Sequence, residues 1–307
     1  MADKLLICIV GPTAIGKTSM AIALANYYGT EIISADSRQF YKEISIGTAV
    51  PTTKELQTVN HHFIQHKSIF ETYSVGDFER DAMAALKELF KQKEVVIMVG
   101  GSGLYVDAVT KGLDNFPTVS PKIRQELIEK LEHEGIESLQ KMLKDLDPDY
   151  STRVDLENPH RVIRALEICL GTGKPYSTFL NREKPSRPFK SITLGLFADR
   201  AVIYDRIEKR VDIMMEQGLL REAEKVYAHK DQNALQTIGY RELFNYLDGQ
   251  WDLNFAVSEI KKNTRRFAKR QLTWFRKDEQ MLRLDHQTSV EATVEAINIK
   301  LKELAHG

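Results

Sequence analysis

Apolar positions along the chain follow two periods. Four short unbroken runs, "KLLICIV" (4–10), "TEIISAD" (30–36), "EVVIMVGG" (94–101) and "SITLGLFAD" (191–199), stop at glycine or aspartate and read as buried parallel strands. Between them the spacing becomes helical. "KTSMAIALANYY" predicts a helix from Lys17 that stops at Gly29, and "DFERDAMAALKELFKQK" (77–93) predicts another. Strands alternating with helices predict an α/β fold: a parallel sheet flanked by helices, with right-handed crossovers.

The pattern changes near Asp114. Residues 120–170 carry helical stretches, "PKIRQELIEKLEHEG" and "NPHRVIRALEICLG", and no strong strand. A charged, proline-bearing stretch, "NREKPSRPFK" (181–190), closes this region before the strand at 191. The expected organisation is an α/β core made of 1–114 and 191–307, interrupted by a helical insertion over 115–190. From "RAVIYDRIEKRVDIMMEQG" onward the chain reads as mostly helical, and it holds no internal repeat or low-complexity tract.

Composition narrows the function classes. Of 307 residues, 42% are hydrophobic and 28% charged, enough apolar material for a sizeable core. Lys+Arg and Asp+Glu both total 43, so a nucleic-acid partner must be argued from local clustering and not from net charge. The two cysteines, Cys8 and Cys169, sit far apart in apolar runs, with no C-x-x-C or Cys/His cluster. That argues against a zinc module or disulfide framework and for a reducing, cytoplasmic setting. The first residues lack the basic head and cleavage site of a signal peptide, and no apolar run reaches membrane-spanning length. The expectation is a soluble protein with no membrane association.

Chemistry enters at residues 11–18. Gly11-Pro12-Thr13-Ala14-Ile15-Gly16-Lys17-Thr18 matches G-x-x-x-x-G-K-T, directly after a predicted strand and opening a predicted helix. Successive loop N–H groups and the helix N-terminus cradle anionic oxygens. Lys17 adds a point charge, and the Thr18 hydroxyl can ligate Mg²⁺. Asp36 ends the second strand, where open α/β sheets place ligands, and fits a metal ligand, a general base or an ordinary capping aspartate. Two glycines followed by Ser102 end the third strand, which offers close backbone approach and a hydroxyl donor, although Gly-Gly-Ser is also common turn chemistry. The pair His61–His62 suggests a metal site, but adjacent strand side chains point to opposite faces, which favours a structural role.

Three basic features stand out. Arg221, near the start of a helix in "MMEQGLLREAEKV", could neutralise a departing phosphate or lie on a solvated face. The run "KKNTRRFAKRQLTWFRK" (261–277) holds eight Lys/Arg among seventeen residues and no acid. Lys262, Arg265, Arg266, Lys269 and Arg270 fall at helical spacing, a pattern that suits polyanion contact as well as a solvated face. Arg161 and Arg164 form a second basic patch in the insertion.

Taken together, "GPTAIGKT", "SADSRQFY", "HHF", "GGSGLY", "NPHRVIRALE", "TGKP", "QTIGYREL" and "RQLTWFRK" resemble the tRNA dimethylallyltransferase family, in family order over about residues 5–280. The resemblance implies transfer of a dimethylallyl group from dimethylallyl diphosphate to N6 of adenosine 37, just 3′ of the anticodon, in tRNAs reading codons that begin with U. It implies Mg²⁺ as cofactor and the anticodon stem-loop as partner. By matching positions, Asp36 would be the general base, Ser102 a contact near the reacting groups, and Arg221 a diphosphate-binding cation beside Lys17. Asp36, Ser37, Arg38, Gln39, Ser102, Arg161 and Arg164 would meet tRNA, with Arg124 and the 261–277 run.

The departures are Ser102 in place of the usual threonine, Asn60 in place of a proline before the histidines, and no C-terminal zinc finger, which suggests the bacterial type. A monomer is expected. Two other enzyme readings remain. An adenylate isopentenyltransferase using AMP would need neither the insertion nor the basic run. A small-molecule P-loop kinase predicts ATP hydrolysis or phosphoryl transfer, where the transferase predicts tight diphosphate binding without it; the third strand ends "VGGSGLY", with no acid. A non-catalytic RNA-binding protein would not need the loop and Asp36 at one sheet edge.

Overall fold

The computed structural model describes residues 4–180 and 186–306, so residues 181–185 of the charged stretch lie outside the described residues. Six parallel strands form one sheet: β1 (Leu5–Val10), β2 (Ile32–Ser34), β3 (His61–His62), β4 (Val95–Val99), β5 (Lys190–Phe197) and β6 (Leu282–Asp285), in the order β3-β2-β4-β1-β5-β6. The central β1 is buried at every position, as its unbroken apolar run requires, with Leu5 in register with Val95 on one side and Lys190 on the other.

The helices follow local rules. α1 (Lys17–Tyr28) ends at Gly29, whose φ of 58° is left-handed. The short α2 (Thr53–Thr58) and α3 (Val75–Leu89) each begin with a capping box, Thr52 with Glu55 and Ser74 with Asp77. α4 (Gly103–Lys111) leaves the end of β4 and packs against α3.

The chain divides into two compact units, Met1–Lys111 with Arg187–Gly307, and Gly112–Ser186. The expected boundaries at 115 and 190 fall a few residues later than these. Gly112 already departs from α4 with a φ of 80°, and Arg187 already belongs to the sheet unit, donating to Ala108 O at 2.6 Å and pairing with Glu79. The smaller unit holds α5 (Pro121–Glu134), α6 (Ile136–Leu146), α7 (Pro148–Ser151) and α8 (Pro159–Thr172), around Leu127, Leu139, Leu143, Val162 and Leu166.

After β5 the sheet unit continues with α9 (Arg200–Glu216), α10 (Leu219–Val226), α11 (Tyr240–Leu247), the long α12 (Leu253–Phe275) and, beyond β6, α13 (Val290–His306). Gly218, at φ 100°, separates α9 from α10. β6 was not expected from the sequence: its alternation of half-buried and exposed residues is the mark of an edge strand, set in a helical tail. The histidine run is an edge strand of two residues, and no helix among the described residues is long and apolar enough to cross a membrane.

Candidate active site

The C-terminal ends of β1, β2 and β4 converge, and each releases its chain into the site. After β1 the loop 11–18 turns back over the start of α1. Gly11 has φ 143°, and a Cβ there would stand 2.7 Å from Leu196 O on the neighbouring strand. Ala14, at φ 64°, and Gly16, at φ 107°, complete the turn. Lys17, the first residue of α1, donates to Pro12 O at 2.8 Å, so its ammonium lies inside the curl of the loop.

Three side chains from distant helices brace this loop. Gln271 of α12 is buried: it accepts from Thr13 N at 2.9 Å and donates to Gly101 O at 2.9 Å, joining the loop to the end of β4. A Cβ on Gly101 would lie 2.2 Å from Gln271 Nε2, so a side chain there would push the Gln271 amide off this junction. Arg206 and Arg210, one turn apart on α9, donate to Ile15 O at 3.0 Å and to Thr13 Oγ1 at 3.3 Å.

After β2, Asp36 accepts from Arg38 N at 3.2 Å in a tight aspartate turn. Ser37 and Ser102 meet across the ends of β2 and β4, with Ser37 N donating to Ser102 Oγ at 3.2 Å. Arg38 donates to the carbonyls of Asn233 and Ala234 at 3.0 and 3.2 Å, and Gln39 donates to those of Thr48 and Ala49 at 3.2 and 2.9 Å.

Two cavities open here. The first, about 780 Å³, is lined by Thr13–Ser19, Asp36, Arg206 and Arg210. The second, about 490 Å³, is lined by Asp36–Arg38, Gly101–Tyr105, Val211, Met214, Leu219, Ile260, Arg270 and Trp274. Asp36, Thr13, Arg210 and Gln271 border both, so one carboxylate and one guanidinium stand where the cavities meet.

The electrostatics follow from burial. Lys17 is pushed down to about 8 by desolvation, opposed by the Asp36 carboxylate and reinforced by Arg210. Asp36 is pushed above the usual carboxylate range by desolvation, opposed by its bond from Arg38 N and by Lys17, Arg38 and Arg210. Desolvation also lowers Arg210, with Asp36 opposing. Two partly desolvated cations beside one carboxylate form a site short of negative charge, which an anionic ligand would complete.

For a metal, no cluster of three His, Cys, Asp or Glu exists among the described residues. Thr18 lines the first cavity beside Lys17. A single hydroxyl suits Mg²⁺, which takes its other ligands from substrate phosphates and water.

The expected residues are thus only partly gathered. Pro12–Thr18, Asp36, Ser37, Arg38, Gln39 and Ser102 surround the two cavities or contact their walls. Arg221 does not. α10 buries Leu219, Ala223 and Val226, which turns Arg221 outward to solvent, and the cation at the junction is Arg210 instead. Lys262 pairs with Glu259 and Arg265 with Glu208 of α9, each at 2.8 Å, so acids from outside the basic run offset part of its charge. Arg266 is exposed and donates to Asn263 Oδ1 at 3.2 Å. In the helical unit Arg124 and Arg164 share the buried Glu167, at 3.2 and 3.1 Å, and Arg161 is exposed. His61 Nδ1 lies 2.8 Å from Val59 O and His62 Nε2 lies 2.8 Å from Glu31, which gives the pair local structural partners.

Arg206, Arg210 and Gln271 were missed by sequence reasoning. The i, i+4 arginine pair on α9 was a usable signal, whereas Gln271, although inside the matching segment "RQLTWFRK", was given no role of its own beside the charges of that run.

The family model described as IPP transferase matches residues 39–278. The chain belongs to this family. It is 63% identical over 273 residues to a tRNA dimethylallyltransferase of Christiangramia forsetii, covering 89% of this chain and 90% of that one. It is 56% identical to the tRNA dimethylallyltransferase of Flavobacterium psychrophilum, covering 97% and 99%. Among solved structures it is similar to the full-length tRNA isopentenylpyrophosphate transferase of Bacillus halodurans, with a TM-score of 0.73, 37% identity and coverage of 99% and 100%. It is also similar to a eukaryotic dimethylallyltransferase described as acting on tRNA, with a TM-score of 0.83, 28% identity and coverage of 99% and 80%.

Proposed function

We propose that this member of the family is a tRNA dimethylallyltransferase: it moves the dimethylallyl group of dimethylallyl diphosphate to N6 of adenosine 37 in tRNAs reading codons that begin with U. The observation that carries the reading is the shared border of the two cavities at Asp36 and Arg210. A diphosphate held by the loop on one side and a base entering from the other would bring their reacting atoms together at that border.

The residues then divide the work. Loop N–H groups, Lys17, Arg206 and Arg210 hold the diphosphate, and Val211, Met214, Leu219 and Ile260 give the prenyl chain an apolar wall. The adenine leaves its stack to enter the second cavity, against Trp274 and Leu104. Its amino group is a poor nucleophile because its lone pair is delocalised into the ring. As the new N6–carbon bond forms, the allylic carbon–oxygen bond breaks. Diphosphate leaves with the bonding pair, and Asp36 takes the N6 proton. Arg210 sits where charge develops on the leaving oxygens. Mg²⁺, held by Thr18 and the diphosphate itself, would neutralise part of that charge.

Exposed Arg266 and Arg270 on α12, and Arg161, Arg164 and Arg124 on the helical unit, would meet RNA phosphates. A monomer acting in the cytoplasm is the expected working form. Incubation with labelled dimethylallyl diphosphate, Mg²⁺ and either unmodified tRNA or AMP tests the reading. Label on tRNA alone is expected. Label on AMP but not tRNA would overturn it in favour of the mononucleotide enzyme, and ATP turnover without prenyl transfer would favour the kinase.

A further inference from the structure

The residue beside the outward-facing Arg221 does what its neighbour does not. Glu222 of α10 points inward and receives three consecutive backbone N–H groups: Ser45 at 2.9 Å, Ile46 at 3.0 Å and Gly47 at 3.0 Å. Its Oε1 also accepts from the Tyr240 hydroxyl at 2.5 Å. Tyr240 is fully buried, and burial together with the Glu222 charge pushes its phenol upward, so it remains a donor. Tyr240 also packs closely against the backbone it helps to hold: a Cβ on Gly47 would stand 2.6 Å from its ring.

Consecutive N–H groups closing on one carboxylate are a nest filled from inside the protein, and they fix the path of a loop that lacks regular secondary structure. That loop matters because Thr48 and Ala49 border both cavities. Its far side is tied to the aspartate turn by Gln39. Ala49 holds φ at 52°, a conformation that a non-glycine residue keeps only when its surroundings enforce it. Nothing in the mechanism above uses Glu222 or Tyr240.

We propose that Glu222, oriented by Tyr240, is a positioning residue that fixes Ser45–Ala49 as the wall holding the prenyl diphosphate against Asp36. This rests on the reading that the loop side of the junction holds the donor. Removing the carboxylate frees three N–H groups and lets the wall relax, which weakens donor binding while leaving the RNA-facing surfaces intact.

The test combines amide hydrogen exchange over residues 44–50 with calorimetric binding of dimethylallyl diphosphate and separate binding of tRNA. For Glu222→Ala, the expected result is faster exchange in that segment, at least tenfold weaker donor binding, and tRNA affinity within twofold of wild type. Glu222→Gln, which keeps one acceptor oxygen, should recover part of the loss, and Tyr240→Phe should fall between it and wild type. These milder variants decide the matter if Glu222→Ala does not fold.

Unchanged exchange over 44–50 would overturn the latch. Faster exchange with unchanged donor affinity would make it a fold element only. A wild-type protein that binds the donor yet prenylates no tRNA would overturn the function above, and the binding comparison would still decide the latch.

Discussion

Lys17 gives the sharpest test of the site's electrostatics. Its ammonium is charged below about 8 and neutral above, because desolvation outweighs the nearby carboxylate. A bound diphosphate places negative charge against it and raises that value, so donor binding takes up a proton wherever the free enzyme has lost one. The charged fraction of the free enzyme is about nine-tenths at pH 7 and about one-tenth at pH 9. Donor affinity should therefore fall roughly tenfold between these values. A lysine titrating near 10.4 would show almost no change. The donor does not confound the range, since a phosphate's last ionisation lies near about 6.

Calorimetry in two buffers of different ionisation enthalpy should find about half a proton taken up per donor at pH 8, and Lys17→Met should abolish both the slope and the uptake. Stability must run the other way. The folded value is depressed, so the unfolded chain holds the extra proton between about 8 and 10.4, and the ligand-free protein should gain stability as pH rises through that window. The gain is at most about 3 kcal/mol, from roughly 1.4 kcal/mol for each tenfold change in proton affinity, and smaller in so far as cavity water reaches the ammonium. A donor affinity flat from pH 7 to 9, or an equal slope in Lys17→Met, would refute the argument.

Three further outcomes follow from the same geometry. Asp36→Asn should slow prenyl transfer by a factor on the order of 10²–10⁴ with donor binding largely kept. In wild type the rate should fall on the acid side as Asp36 protonates, above the usual carboxylate range; single-turnover rates across pH would check both. Arg210→Gln should weaken donor binding roughly ten- to a hundredfold, the worth of a charged hydrogen bond, while Arg221→Gln should leave it unchanged; equal effects would remove Arg210 from the junction. Neutralising Arg266 and Arg270 together should lower the salt slope of tRNA binding by about 0.7–0.9 per lost phosphate contact, and an unchanged slope would mark them as a solvated face.

Features that depend on neighbours in sequence were readable without the fold. The phosphate loop, the stop of α1 at Gly29, the buried runs of β1, β4 and β5, and Asp36 at a strand end all follow from local backbone geometry and unbroken hydrophobicity. They were enough to suggest a parallel sheet with a phosphate site at its edge. β6 escaped because an edge strand of four residues carries too weak a pattern to stand out in a helical tail.

What the chain could not reveal residue by residue was which charges face one another. Arg221 and Glu222 are adjacent, yet the apolar stripe of α10 turns one to solvent and the other into a nest of backbone N–H groups. Arg210 and Gln271 reach the loop only because α9 and α12 pack beside it, from positions about two hundred residues or more away in sequence. Arg265 looks like part of an acid-free run until Glu208, on α9, closes on it. Backbone conformation is set by local sterics and hydrogen bonding, so sequence determined the cradle for the phosphates. Charge pairing and desolvation depend on distances through space, so only the tertiary structure decided which cation, which brace and which carboxylate complete it.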